Sequence, residues 1–586
     1  MIRTKSIAVL PFESLSADQE HTYFADGMSE EIILALSRVE GLKVTARTSS
    51  FAYRDRKTDV RIIGNQLGVA TVLDGSIRKV GKRIRIHAQL VRTDNGFHLW
   101  SERFDRELTD IFELQDEISL LIAEKIRENY GHLDIDDHLV TSKTRDIKAY
   151  QMFLKGRFFQ LQWKSEDFER AIHSYKQSIA LDPAYYQPYF GLVQCYGILG
   201  SWGFMNKLDA LTAADFYLTQ GIALQPESTE AYFAKATQAL WINWDPHSAL
   251  QALHKGLVIS PQDTESLESA AECHTALGQF DQALEYINKA LEYNPLSPNH
   301  HYTKGNIYYL QEQYDTAMQW MDKALAIDLN WELAIRTKAC CYILKGQQQE
   351  LHSWLNRTPK GGINSNFLRL YEAMHTKNSL STSDFATDTT IYLPWAVYAP
   401  LYTGDQTQAL AALKQGIQQR NGQYINFGND PLLRPLRPRT EFQQLVQNTF
   451  PSAAGRVTAS VQKEKAATKL SPEEAGDYKS ALQGIMENEQ AYLSPELNLR
   501  ELAARIDLHP NKLSWLLNET LGQNFNEYIN TWRLGAFQQK AVLPEFSHYT
   551  ILGLAYDCGF NSKSVFNDFF KKSTGQTPSA WLKANR

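Results

Sequence analysis

Residues 550–578, TILGLAYDCGFNSKSVFNDFFKKSTGQTP, decide how the chain is read. Two helices crossing at roughly 90–120° through a three- or four-residue turn need a small residue where they touch and a left-handed-tolerant one at the turn. Ala555 followed by Gly559 supplies both. Residues 498–525, NLRELAARIDLHPNKLSWLLNETLGQNF, repeat the pattern: Leu499, Leu502, Ala503 and Ile506 share one helical face, and Leu513, Leu516 and Leu517 the next. Asp507 stands at its turn, where Asp enters the left-handed region less readily than Gly. Between the copies, Tyr528, Ile529, Trp532, Leu534 and Phe537 recur at helical spacing and predict one long connecting helix.

These residues resemble the AraC/XylS family of bacterial transcription regulators. The second unit carries the resemblance through Ile551, Ala555, Gly559, Phe560, Phe566, Phe569, Phe570, Lys571, Gly575 and Pro578. The first does so through Leu502, Ala503, Leu513, Ser514, Asn518, Gly522, Phe525, Ile529 and Arg533. The resemblance implies two second helices entering successive major-groove segments, roughly 34 Å apart, on one face of double-stranded DNA. Those helices are expected to begin near Asn511 and Ser562. The base-facing positions carried over are Asn511, Lys512, Ser514 and Trp515, then Lys563, Ser564, Asn567 and Asp568. Asn pairs with adenine, Lys with guanine, Asp accepts from cytosine, and an aromatic edge meets a thymine methyl. Lys571, Lys572, Asn518 and Asn524 read as phosphate contacts that position without specifying. The alternative for Trp515 is packing, and for the lysines a solvated surface. From Leu493 onward ten basic side chains face eight acidic ones, so the unit is only weakly basic.

At 586 residues the chain predicts three or four domains, at about 150 residues each. A net charge of −6 excludes a globally basic coat, and any DNA contact must be local. Five scattered cysteines without a CxxC pair argue against a disulfide framework or zinc ribbon and fit a reducing cytoplasm. MIRTKSIAVLPF has too short an apolar run for a secretory leader. IYLPWAVYAPLY, from Ile391, is well short of the ~20 residues that span a bilayer, so no membrane is expected.

Residues 1–130 read as an α+β domain. A strand, IAVLPF, precedes a helix at GMSEEIILALSRV; a second strand, LKVTAR, precedes a helix at DVRIIGNQLGV. A β-meander follows, with Ile84, Ile86, Ala88 and Leu90 alternating against Arg83, Arg85, His87 and Gln89, and an amphipathic helix runs from about Asp110 to Tyr130. IAVLPFESLSAD, ADGMSEEI, LDGSIRKVGKRIRIHAQLV and HLWSERFDR resemble the TolB-like N-terminal domain of bacterial regulators, which implies an assembly or sensing module. GNQLG lacks the lysine of a phosphate loop, and KVGKRIR reads as the outer face of a hairpin, with an anion on Arg83 and Arg85 as the alternative.

Residues 145–450 repeat. ERAIHSYKQSIALDP, TAADFYLTQGIALQP, HSALQALHKGLVISP and DQALEYINKALEYNP end in prolines 43, 35 and 34 residues apart. That is the tetratricopeptide period with one insertion. A fifth copy and a degenerate sixth follow at YDTAMQWMDKALAIDL and WELAIRTKACCYIL. Small residues such as Ala283, Ala290, Ala317 and Ala324 let helix pairs stack into an all-α superhelix whose groove takes a protein or peptide. Tyr286, Tyr308 and Trp320 are read as packing. A polar stretch, 451–476, reads as a linker to an all-α double helix-turn-helix domain over 477–586.

No catalytic pattern survives inspection. HLDIDDH, from His132, meets no metal-site spacing, and His300-His301 reads as ordinary packed or solvated histidine. The expectation is therefore a cytoplasmic, non-enzymatic regulator without cofactor or metal. Its partners are DNA and a protein or peptide ligand, with a homodimer left open. A scaffold whose head binds DNA weakly or not at all is the alternative.

Overall fold

The computed structural model describes residues 3–15, 19–54, 58–140, 142–162, 165–358, 364–376, 380–386, 392–450 and 470–585. The chain is multidomain: an α+β N-terminal domain, an all-α repeat superhelix, and a helical C-terminal head.

Strands β1 (Arg3–Val9), β2 (Glu13–Ser14), β3 (Lys43–Val44), β4 (Val69–Val80), β5 (Arg83–Arg92) and β6 (His98–Glu107) form one mixed sheet, with helices α1 (Gln19–Leu36), α2 (Arg47–Phe51), α3 (Val60–Leu67) and α4 (Ile111–Tyr130) packed around it. The path is β3-β1-β4-β5-β6, with β2 beside β4. β1 lies parallel to β3 and β4, while β4, β5 and β6 form the antiparallel meander. Period-two alternation splits the core: Ile7 and Val9 pack with α1 and α4, whereas Ala8 and Leu10 pack with Ile63 and Leu67 of α3. The strand expected over LKVTAR shrinks to two residues. It is an edge strand whose outward Val44 N–H donates to Gln262 Oε1 at 2.9 Å, so the repeat array finishes the ladder.

The array is a succession of antiparallel helix pairs: α5 (Ile147–Gln160) with α6 (Ser165–Leu181), α7 (Gln187–Ser201) with α8 (Lys207–Leu224), α9 (Thr229–Thr237) with α10 (Pro246–Ile259), and α11 (Thr264–Ala276) with α12 (Phe280–Tyr293). Then come α13 (Pro298–Leu310) with α14 (Tyr314–Ile327), α15 (Glu332–Leu344) with α16 (Gln348–Arg357), and a closing group, α17 (Asn364–His375), α18 (Trp395–Tyr402), α19 (Gln406–Gln418) and α20 (Thr440–Thr449). The period has a local cause. Two residues after Pro226, Pro261 and Pro295, the side chains of Ser228, Asp263 and Ser297 each accept from a backbone N–H of the next helix. Ala249, Ala283 and Ala317 recur as fully buried contacts that admit the neighbouring helix.

The sequence boundary near residue 130 is not a break in packing. One continuous core runs from the sheet through α1 and α4 into α5, α6 and α7. Gly27 on α1 marks a close approach, since a Cβ there would stand 2.6 Å from Leu154 of α5. Residues 131–140 fold back on α4, where Asp116 accepts from the Leu139 and Val140 N–H groups at 2.6 and 2.8 Å and bonds His138 at 2.7 Å. The expected linker lies, over 451–469, outside the described residues. Its last part is helical: α21 (Pro472–Gly484) opens with a reciprocal cap between Ser471 and Glu474, and Leu470, Ala475 and Leu482 join the core of the head.

Candidate nucleic-acid interface

The head contains α22 (Leu499–Arg505) and α23 (Pro510–Trp515), the connecting α24 (Phe525–Ala541), then α25 (Ile551–Asp557), α26 (Lys563–Thr574) and α27 (Pro578–Asn585). Each unit has its own core, around Leu502, Leu513 and Leu517 in the first and Phe537, Phe566 and Phe570 in the second. Both turns take the left-handed conformation, at φ +50° for Asp507 and +90° for Gly559. Gly559 has a further reason to be glycine, because a Cβ would lie 2.3 Å from the Tyr492 carbonyl oxygen. Arg533 of α24 ties the units to the segment before them: its buried guanidinium donates to the Tyr492 and Ser494 carbonyls, both at 2.8 Å. Burial depresses its pKa to about 10.

The second unit presents its expected residues. Ser562 caps α26 by accepting from the Val565 N–H at 3.2 Å. Lys563, Ser564, Asp568, Lys571 and Lys572 are exposed and Asn567 half-buried. Lys572 is partly engaged, 2.8 Å from Glu527 of α24.

The first unit differs. Its helix begins at Pro510, one residue before Asn511, as expected. Ser514, however, is 0% exposed, with its carbonyl accepting from Asn518 Nδ2, so the base contact expected of Ser514 is corrected: it packs inside the head. Trp515 is half-buried beside Leu470, Pro472 and Ala475, on the packing alternative. Lys512 is half-buried, as are Asn518 and Asn524, and Asn524 caps α24 while donating to the Asn129 carbonyl at 3.0 Å.

Asn511 is spoken for by the N-terminal domain. Its Oδ1 accepts from Arg127 of α4 and from the Ile135 N–H at 3.4 Å, and its Nδ2 donates to the Ile135 carbonyl at 3.2 Å. Around it, Arg500 donates to Glu124 at 2.7 Å, the Leu499 N–H to Glu128 at 3.2 Å, and Asn526 to Asn129 at 3.0 Å. His509 stands 3.9 Å from Asp137. Arg127 is 1% exposed, and burial lowers its pKa against the opposing pull of Glu124. Sequence reasoning missed Arg500 and His509, because their partners stand more than 370 residues away.

A second feature lies between α1, α5 and α7, a cavity of about 130 Å³ lined by Glu30, Glu31, Lys143, Arg157, Glu230 and Glu265 among others. Its charges answer one another: Arg157 reaches Glu30 at 3.0 Å and Glu265 at 3.4 Å, and Lys143 stands 3.8 Å from Glu31. It is a charged seam joining sheet domain and array.

Two helix-turn-helix units on one connecting helix, behind a repeat array, define the class: a DNA-binding regulator architecture with a protein-interaction region. Residues 502–584 match the family model described as a helix-turn-helix domain, and residues 3–121 match the HilA/YgeH-like transcriptional regulator, second domain. Residues 160–185 and 274–329 match tetratricopeptide repeat models. Among curated proteins, the chain is similar to "Putative adenylate cyclase 3" of Rhizobium meliloti, 36% identical over 41% of this chain; the match spans 40% of that relative's length. It is also similar to anaphase-promoting complex subunit 3 of Dictyostelium discoideum, 32% identical over 14% of this chain and 8% of that protein. Solved structures with a likeness include YrrB, a tetratricopeptide protein with an unusual peptide-binding site, at 22% identity and TM-score 0.22, covering 32% of this chain and 91% of that one. Another is a tetratricopeptide protein from Parabacteroides merdae, at 13% identity and TM-score 0.29, covering 49% and 100%. The matched families are regulatory and repeat modules. No helix among the described residues is long and apolar enough to cross a membrane.

Proposed function

We propose that the chain is a sequence-specific transcription regulator whose TolB-like N-terminal domain and repeat array receive a protein or peptide signal and control the double helix-turn-helix head. The observation that carries this reading is α26, capped by Ser562 and exposing Lys563 and Ser564 at the end that a recognition helix directs into the major groove, with Asp568 exposed farther along the helix. Lys563, Asn567 and Asp568 are assigned to base edges, with Asn511 and Lys512 as their counterparts in the first unit. Lys571 is assigned to a phosphate. The regulatory and repeat character of the matched families supports a non-enzymatic chain, and the cyclase name stays with the relative.

The test is recovery of genomic DNA fragments by the full-length protein, followed by titration of the recovered sequence at several salt concentrations. The regulator yields a motif with two submotifs about ten base pairs apart. Lys563→Ala with Asn567→Ala then relaxes the preference at one submotif, at a cost of about 1–3 kcal/mol per lost base contact, whereas Lys571→Ala weakens all sequences alike and lowers the salt slope by about one. A protein that recovers no motif and binds without salt dependence is a scaffold instead.

A further inference from the structure

We propose that the end of α4 together with residues 131–138 is an internal stand-in for DNA, which occupies the first helix-turn-helix unit and must leave before that unit can bind. The inference rests on the DNA-reading role proposed above and names its regulation.

The geometry is that of a base contact made in protein. Asn reads adenine by accepting from one group and donating to another with the two ends of its carboxamide. Asn511 does the same with the backbone of Ile135, whose N–H and carbonyl meet its Oδ1 and Nδ2 at 3.4 and 3.2 Å. Arg127 adds a charged donor to the same oxygen. Carboxylates stand beside this contact as phosphates stand beside a base: Glu124 takes Arg500 at 2.7 Å, and Asp137 lies 3.9 Å from His509. The acidic run HLDIDDH thereby acquires a role that no metal or catalytic pattern gave it.

The contact also excludes the duplex. A recognition helix engages bases with its N-terminal residues, at the bottom of a groove about 8.5 Å deep. That end of α23 faces residue 135, and Asn518, farther along the unit, stands where a Cβ on Gly131 would meet its Oδ1 at 3.0 Å. Release requires α4 and the head to part. α4 is held to the array through Gln115, which donates to Tyr150 of α5 at 2.8 Å, so a signal on the array acts on the wall itself.

The test closes the lock chemically in the full chain. Asn129→Cys and Asn526→Cys introduce two thiols at a 3.0 Å contact, and the five native cysteines are all buried, so a short bis-maleimide containing a disulfide joins the introduced pair. The probe is a fluorescent pool of randomised double-stranded DNA at low salt. The joined form is expected to bind at least about tenfold more weakly than the same protein after the linker is reduced, since the cleaved form keeps both halves of the reagent. A release variant, Glu124→Gln with Asn129→Ala, is expected to bind about ten- to a hundredfold more tightly than the parent, the gain available if the open form is about 1–10% populated. Equal affinity of the joined and cleaved forms overturns the lock. No binding by joined, cleaved and release forms alike overturns the DNA-reading role itself, and the lock falls with it.

Discussion

Replacing Gly559 by Ala tests the turn on which the second unit depends. The residue sits at φ +90°, where an L side chain costs about 1–2 kcal/mol. The added Cβ lies 2.3 Å from the Tyr492 carbonyl oxygen and 3.0 Å from Arg533 Nε, and relieving such an overlap typically costs about 1–3 kcal/mol. Against these stands about 0.4–1 kcal/mol from the stiffer unfolded chain. The balance is a loss of about 1–5 kcal/mol confined to the head. Amide exchange of the full-length protein reads it directly: α25 and α26 should exchange roughly 5- to 2000-fold faster, while α11 to α14 in the array stay protected. Asp507→Gly is the paired control. It removes the left-handed cost in the first unit but loosens the unfolded chain by a similar amount, and should change stability by no more than about 0.5 kcal/mol. Unchanged protection in Gly559→Ala refutes the argument from the turn.

Arg533→Met leaves the Tyr492 and Ser494 carbonyls without their charged donor and should lower head stability by about 2–4 kcal/mol, read as a loss of protection in α24. Asp430, at the end of the array, accepts from Tyr398 and from the Leu432 N–H at 2.9 Å, yet burial holds its pKa above the usual carboxylate range. The folded state therefore keeps its proton at pH values where the unfolded chain has lost it, and stability falls as pH rises from about 4 through the folded value. The stability of the parent relative to Asp430→Asn should accordingly increase towards pH 4, and a flat difference contradicts the burial argument. Burial pushes the Cys558 thiol up to about 11, so at pH 8 roughly one molecule in a thousand carries its thiolate, against about a quarter for an ordinary thiol. A disulfide reagent should find five reactive thiols after unfolding and essentially none before, and prompt reaction in the native protein would overturn that assignment.

Local signals were legible where the physics is local. The 34-residue proline and alanine spacing, the Ala555–Gly559 turn and the alternation along β5 each depend on neighbours within one or two helices or strands, and each element stands where its pattern points. The burial of Ser514 was not legible, because each residue turns a helix by about 100°, so a register error of one exchanges groove-facing and core-facing positions. The helix over 472–484 was hidden by polar composition, its capping pair giving a stronger start signal than the Ala, Lys and Glu around it suggested. The fusion of sheet domain and array into one core, and the hold of α4 on Asn511, join segments hundreds of residues apart that carry no mutual signature in a single sequence.

The hold of α4 on the head joins an early part of the chain to a late one, Asn511 lying 384 positions after Arg127. At about 5–20 residues per second, a ribosome takes roughly 20–80 s to make that interval, and domains fold in order as they emerge. Each new molecule therefore displays its α4 wall, finished and unoccupied, well before the head exists to cover it. A wall bearing Glu124, Arg127 and Glu128 rather than a bare apolar stripe tolerates that wait in water.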